Sequence, residues 1–232
     1  MAAPTINDSA IGVATGTSVA TSTALTISSG DVVYVWFYLA DGASVAASGV
    51  SSAGGGTFTE IADSALTFGF ARLYLYRSTN ATAGSHVITA TPTASTENLG
   101  VMAVSVSGVD AGTPNGSVSF ANGTGTGDAV SATISSGSDA IVLDGIGRVQ
   151  NADMSSTGGN TILDQVNRAL TIQVGTSWEA GAATVATGWG INGAGTVSAW
   201  EWLIGALSIN GGAGGGGGGS DPVLGRRLWV MP

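Results

Sequence analysis

The chain has 232 residues, a net charge of −9 and only 9% charged residues, with arginine as its sole strong base and no cysteine. With so few cations it cannot build a basic phosphate-binding surface, which excludes nucleic-acid partners; the missing cysteines exclude disulfides, thiol nucleophiles and thiolate metal sites. The hydrophobic share of 44% is enough for a core, either one large β-sandwich or two small ones.

The first eight residues carry neither a basic region nor an apolar stretch of signal-peptide length. With a composition suited to surface proteins, that predicts assembly inside the cell and release by lysis. Short β-like runs bounded by Gly, Asp, Asn and Ser follow. The first covers residues 18–28. A turn at Ser29-Gly30-Asp31 leads into Val32–Ala40, which is strand-sized and too short to span a membrane, so no membrane insertion is expected. Residues 57–62 follow a triple glycine. Across 68–77, Phe68, Phe70, Arg72, Tyr74 and Tyr76 alternate with Leu73 and Leu75. Residues 86–91 and 101–106 close a first set, and no segment shows sustained helical periodicity.

The second half repeats this order. Thr26-Ile27-Ser28-Ser29-Gly30 matches Thr133-Ile134-Ser135-Ser136-Gly137, each followed by an apolar strand. Thr82-Ala83-Gly84 matches Glu179-Ala180-Gly181, and Val104-Ser105-Val106-Ser107-Gly108 matches Leu207-Ser208-Ile209-Asn210-Gly211. Offsets near one hundred residues indicate an internal duplication, over about 18–110 and 125–210. The short joining segment, and the scarcity of large residues in the second half, favour one domain over 1–210. The predicted fold is an all-β, antiparallel, jelly-roll-like sandwich of two similar halves. A Gly-rich linker over 211–220 and a C-terminal peptide over 221–232 follow.

The stretches Gly30-Asp31-Val32-Val33-Tyr34-Val35-Trp36 and Leu73-Tyr74-Leu75-Tyr76-Arg77, with Val106-Ser107-Gly108-Val109-Asp110 before Thr113-Pro114, resemble a loose group of β-sandwich proteins. The group comprises structural components of tailed bacteriophages, of decoration and fibre type, and related bacterial surface proteins. The resemblance runs through most of 18–209 in turn-and-strand patterns, and implies a sandwich with a structural or adhesive role and no catalytic residues.

Candidate chemistry is sparse. His86 is the only histidine and no G-x-S-x-G elbow accompanies it, so a rim or strand-edge role is expected. Glu201 lies between Trp200 and Trp202, but strand alternation turns it away from both, favouring core tryptophans over a sugar site. Gly188-Trp189-Gly190-Ile191-Asn192-Gly193 fits G-x-G-x-x-G by letter but lacks the helix that motif needs. Asp8, Asp31, Asp110 and Asp139 read as turn formers rather than calcium ligands. No enzyme activity, metal or cofactor is expected.

The function expected is a non-enzymatic virion structural protein on the outer surface, a capsid decoration or a head- or tail-fibre component. Its partners would be other copies of itself and a capsid or tail protein. Arg226, Arg227, Leu228, Trp229, Val230 and Met231 would form the anchor. The alternatives are an extracellular or cell-surface module binding a host glycan through exposed aromatics such as Trp178 or Trp189, and a self-polymerising surface filament.

Overall fold

The computed structural model of the chain describes residues 2–17, 19–40, 46–53, 56–63, 71–94, 96–124, 130–149, 153–157, 159–167, 172–192 and 201–212. These residues form sixteen strands and no helix. The first eight are β1 (Thr5–Thr17), β2 (Ala20–Ile27), β3 (Val32–Ala40), β4 (Ala47–Ser52), β5 (Thr59–Asp63), β6 (Ala71–Ser78), β7 (Gly84–Pro92) and β8 (Thr96–Ser107). The second eight are β9 (Asn115–Thr124), β10 (Val130–Ile134), β11 (Ala140–Arg148), β12 (Asp153–Thr157), β13 (Thr161–Asn167), β14 (Gln173–Ala180), β15 (Val185–Asn192) and β16 (Glu201–Asn210).

The two sets share one topology. In the first, a five-stranded sheet ordered β1-β8-β3-β6-β5 faces a three-stranded sheet ordered β2-β7-β4. In the second, β9-β16-β11-β14-β13 faces β10-β15-β12, the same order strand for strand. All pairings are antiparallel. Each half is a jelly-roll-like sandwich in which the fifth strand has joined the larger sheet.

Where the sequence reading expects two packed sheets to absorb both halves, the structure has four layers. Each half closes a core between its own large and small sheets: Leu25, Val35, Phe37 and Ile88 in the first, Val142, Ile146, Met154 and Trp189 in the second. The two large sheets then pack on each other through a third core, containing Trp36, Tyr38, Leu73 and Met102 from one half and Leu143, Val174 and Leu207 from the other. This explains why β3 and β11 are buried along their whole lengths: both of their faces are interior.

The halves align by their ladders. Val32 pairs with Val106 and Ile141 with Ile209, so β3 and β11 correspond with Trp36 at Gly145 and Tyr38 at Gly147. These corresponding residues also meet in the central core. A Cβ built on Gly145 would collide with the Trp36 side chain, and one on Gly147 with Tyr38. A position that meets its own counterpart lies beside a two-fold axis, and here one copy has become large while the other has become glycine. The Trp36 indole N–H donates to the Gly205 carbonyl at 3.0 Å, satisfying the one polar atom it buries. Because β3 and β11 advance together across this contact, the pseudo-two-fold axis follows the strands, and the molecule has two poles.

Candidate functional site

At one pole the chain begins, crosses between halves and leaves the second half, all within one corner. A Cβ on Gly211 would strike the carbonyl of Ala2, and one on Gly108 would lie 3.8 Å from the Pro4 Cα. Gly212 donates its N–H to the Gly108 carbonyl at 2.7 Å, Asp110 to the Asn210 carbonyl at 3.0 Å, and Val109 forms a bridge with Gly211. The Asn210 side chain donates to Thr113, and its backbone N–H to Pro114 at 3.1 Å. Glycine at 108, with φ of 69°, makes the sharp turn out of β8 without a Cβ penalty.

Aspartates pin this corner and its neighbours. Asp110 accepts from the N–H groups of Thr113 at 2.8 Å and Gly112 at 2.7 Å, and those bonds hold its carboxyl below the usual range. Asp31 is buried; it accepts from Ser28 N–H at 2.7 Å and Asn7 Nδ2 at 2.8 Å, and also from the Ser105 hydroxyl. Asp8 accepts from Thr26 N–H at 2.6 Å and Ser9 N–H at 2.9 Å beside a β-bulge. These acceptors are occupied by the backbone and by neighbouring side chains, which is what turn-forming aspartates do. Tyr34 ends in the same region, its hydroxyl donating to Asn115 Oδ1 at 3.1 Å; burial raises its phenol, against an opposing pull from Arg77.

A second polar cluster lies inside the second sandwich. Asp144 is completely buried and accepts from the Trp189 indole at 2.8 Å and from the Ser177 hydroxyl. Asn160 donates to Ser177, and Ser156 donates to Asn160 Oδ1 at 2.9 Å. Burial pushes the Asp144 carboxyl up to about 6, against the lowering effect of the Ser177 and Trp189 hydrogen bonds. A serine bonded to a buried carboxylate, with no base between them, has no route to nucleophilic attack; the cluster ties β11, β14 and β15 together.

The sequence-predicted site residues fall as follows. Trp189, expected as an exposed glycan contact, is wholly buried with its N–H on Asp144, which corrects that expectation: it stands on the inward face of β15. Trp178 is partly buried against the central core. Trp202 packs partly buried on the second half's own core, as a core residue. The G-x-G-x-x-G letters fall within β15 over 188–192, in strand and not at a helix start. His86 lies near the start of β7, the middle strand of its sheet and not an edge. The anchor residues Arg226, Arg227, Leu228, Trp229, Val230 and Met231, and the linker beyond Gly212, lie outside the described residues, as do Phe68, Phe70 and Trp200.

Sequence reasoning missed Asp144. Its one signal is an acidic residue in the apolar run Ile141-Val142-Leu143-Asp144, where a fully buried strand calls for a partner to each polar group. Among the described residues, no three His, Asp or Glu side chains gather as metal ligands. Comparison with family models, with curated proteins and with solved structures finds no match.

Proposed function

We propose that the chain is a non-enzymatic structural component of a virion's outer surface, a capsid decoration or fibre-type protein held through its C-terminal peptide. The observation that carries this reading is the shared corner. The path toward 213–232 leaves beside Ala2 and the crossover at 108–114, at one end of the strand axis. A body fastened there stands with its strands along the line of attachment and turns its other pole outward. The ladders and three cores make it stiff, and the six glycines of 214–219 would separate it from the anchor residues Arg226–Met231. Among the described residues, Trp36 and Trp189 are spent on cores, which takes Trp189 out of the glycan-binding alternative.

The test compares the full chain with a chain ending at Gly212, each produced alongside the particles made in its natural host. The truncated body should fold with an unchanged melting transition and fail to sediment with those particles. Retention of the truncated body on the particle, at the level of the full chain, would remove the C-terminal peptide from the reading.

A further inference from the structure

The two large sheets meet face to face, and the joint between them closes along one side only. On that side Ser9 of β1 stands on the central face, since it pairs with Val104, and its hydroxyl donates to the Leu163 carbonyl of β13 at 3.4 Å. The pseudo-two-fold axis sets β9 and β5 in the same relation on the other side. Val118 pairs with Leu207 as Ser9 pairs with Val104, and Ile61 sits at the bulge of β5 as Leu163 sits at the bulge of β13. Val118 has no hydroxyl to make the equivalent bond. It stands on the face that is interior elsewhere, yet it is 36% exposed, one of three large exposed hydrophobics among the described residues. A half-covered seam therefore runs between β9 and β5, with Phe120 and Ile61 only partly buried along it.

One end of this seam carries a charge. Arg77 of β6 pairs with Tyr34 and with Thr59, and Tyr34 belongs to the central core, so Arg77 stands on the seam's face. It lies at the pole where the chain begins and leaves, close to Tyr34, whose hydroxyl meets Asn115 at the start of β9. The other two described cations are committed, Arg72 to the Tyr74 hydroxyl at 3.0 Å and Arg148 to the interior. Arg77 is half-buried, and among the described residues no carboxylate pairs with it. From the pole inward the seam thus offers a cation and then apolar side chains, Val118 and Ile61 first. A matching ligand is an extended segment with one carboxylate followed by apolar residues.

The chain carries such a segment within reach. Past Gly212 its one acidic residue is Asp221, followed by Pro222, Val223 and Leu224. The residues of 213–220 between them span roughly 16 Å as a coil and about 28 Å when stretched. They start from the corner where the Asn210 N–H bonds the carbonyl of Pro114, the residue before β9. The residue before a proline favours extended backbone, which suits Asp221 to entry alongside two strands. We propose that the seam between β5 and β9 clasps 221–224 of its own chain, with the Asp221 carboxylate on Arg77 and Val223 and Leu224 beside Val118 and Ile61. The clasp is light, because an ion pair reached by solvent contributes little; it fixes where the tail leaves the body and not the body's stability. It leaves Arg226–Met231 free beyond it, so the inference goes beyond the attachment reading and does not rest on it.

The natural absence of cysteine makes trapping clean. The full chain carrying Val118→Cys and Val223→Cys would be oxidised mildly in dilute solution, without particles, and the disulfide followed by mass and by loss of free thiol. The control pairs Val223→Cys with Val87→Cys, because Val87 matches Val118 in exposure, 40% against 36%, and in its place along its strand. The Val118/Val223 pair should close within one chain at least fivefold faster than the control. The inference is overturned if it closes no faster, or if its disulfides form mainly between chains. Adding Asp221→Arg, which alters only the tail and so leaves the body's folding alone, should slow closure at least threefold; an unchanged rate would overturn the seating on Arg77. Combining Asp221→Arg with Arg77→Asp should restore the rate. A combination that stays slow while the body melts like wild type would count against that pairing.

Discussion

The two halves share every strand pairing and almost none of the chemistry that fills them. The first half sends Tyr34, Trp36 and Tyr38 into the central core; the second answers with Leu143, Gly145 and Gly147 at the corresponding positions. On the opposite face of the same strands, Val35 in the first half corresponds to Asp144 in the second, so one inner core is apolar and the other is built around a carboxylate. The backbone ladder therefore tolerates wide changes of side chain provided the faces stay complementary. A duplicated sheet is free to differentiate once its two copies always meet each other.

The sharpest way to break this comparison is to remove the large partner. Trp36→Ala empties the space against Gly145 and strands the Gly205 carbonyl, and should cost about 3–5 kcal/mol. Gly145→Ala approaches the same contact from the other side. Its added methyl meets a fully packed indole and should cost about 1–3 kcal/mol. Urea unfolding of the two single variants and of the double variant measures the coupling. Because the lost indole makes room for the methyl, the double variant should be less destabilised than the sum of the singles. Strict additivity would show that the contact does not govern the joint between halves.

Asp144 gives the next largest effect and sharpens the contrast with Val35. Asp144→Ala leaves the Trp189 N–H and the Ser177 hydroxyl buried without their acceptor, and should cost about 2–4 kcal/mol relative to Asp144→Asn, which keeps an oxygen for the indole. The pH dependence follows in sign. The folded carboxyl titrates at about 6 against an ordinary 3.8, so the folded state holds this proton more tightly than the unfolded chain does. Its contribution is fully present below the ordinary value and is lost as pH rises through about 6, a swing on the order of 3 kcal/mol. Asp164 and Glu179, raised by burial, push the same way, so the test is the difference between wild type and Asp144→Asn across pH 4–8. The asparagine variant should gain on wild type as pH rises and level off above about 7. A flat difference would mean that the carboxyl is not perturbed.

How far these features were legible depends on whether they are local. The duplication was readable because turns are local: Ser28-Ser29-Gly30 and Ser135-Ser136-Gly137 set the same corner in both halves. The alternation at 73–76 was also readable, with Leu73 and Leu75 on the central core and Tyr74 and Tyr76 on the first half's own core. β1 was not read as a strand, because Asn7-Asp8-Ser9 looks like a turn and is a bulge within a thirteen-residue strand. The four layers were hidden for another reason. A strand buried on both faces shows no alternation, and the glycines at 145 and 147 gain meaning only from Trp36 and Tyr38, more than a hundred residues away. The burial of Trp189 was hidden likewise, since its partner Asp144 lies 45 residues earlier.

The smallest effect separates the two copies of the β-turn itself. In the first half, Gly30 takes φ of 86° and the next residue, Asp31, is buried, holding Ser28, Asn7 and Ser105 together. Both turns close through a backbone bond at 3.2 Å, the Asp31 N–H on the Ser28 carbonyl and the Ala140 N–H on the Gly137 carbonyl; in the second half an added serine moves Asp139 one place further from the glycine. Asp31→Ala should therefore cost about 1–3 kcal/mol, because it leaves donors from three separate segments without an acceptor. Asp139→Ala should change stability by less than about 0.5 kcal/mol, since the turn's backbone bond does not need its side chain. Thermal unfolding of the two variants at one pH decides the matter. Equal losses would mean that the two turns are still held alike, and that divergence between the halves is confined to the faces of their sheets.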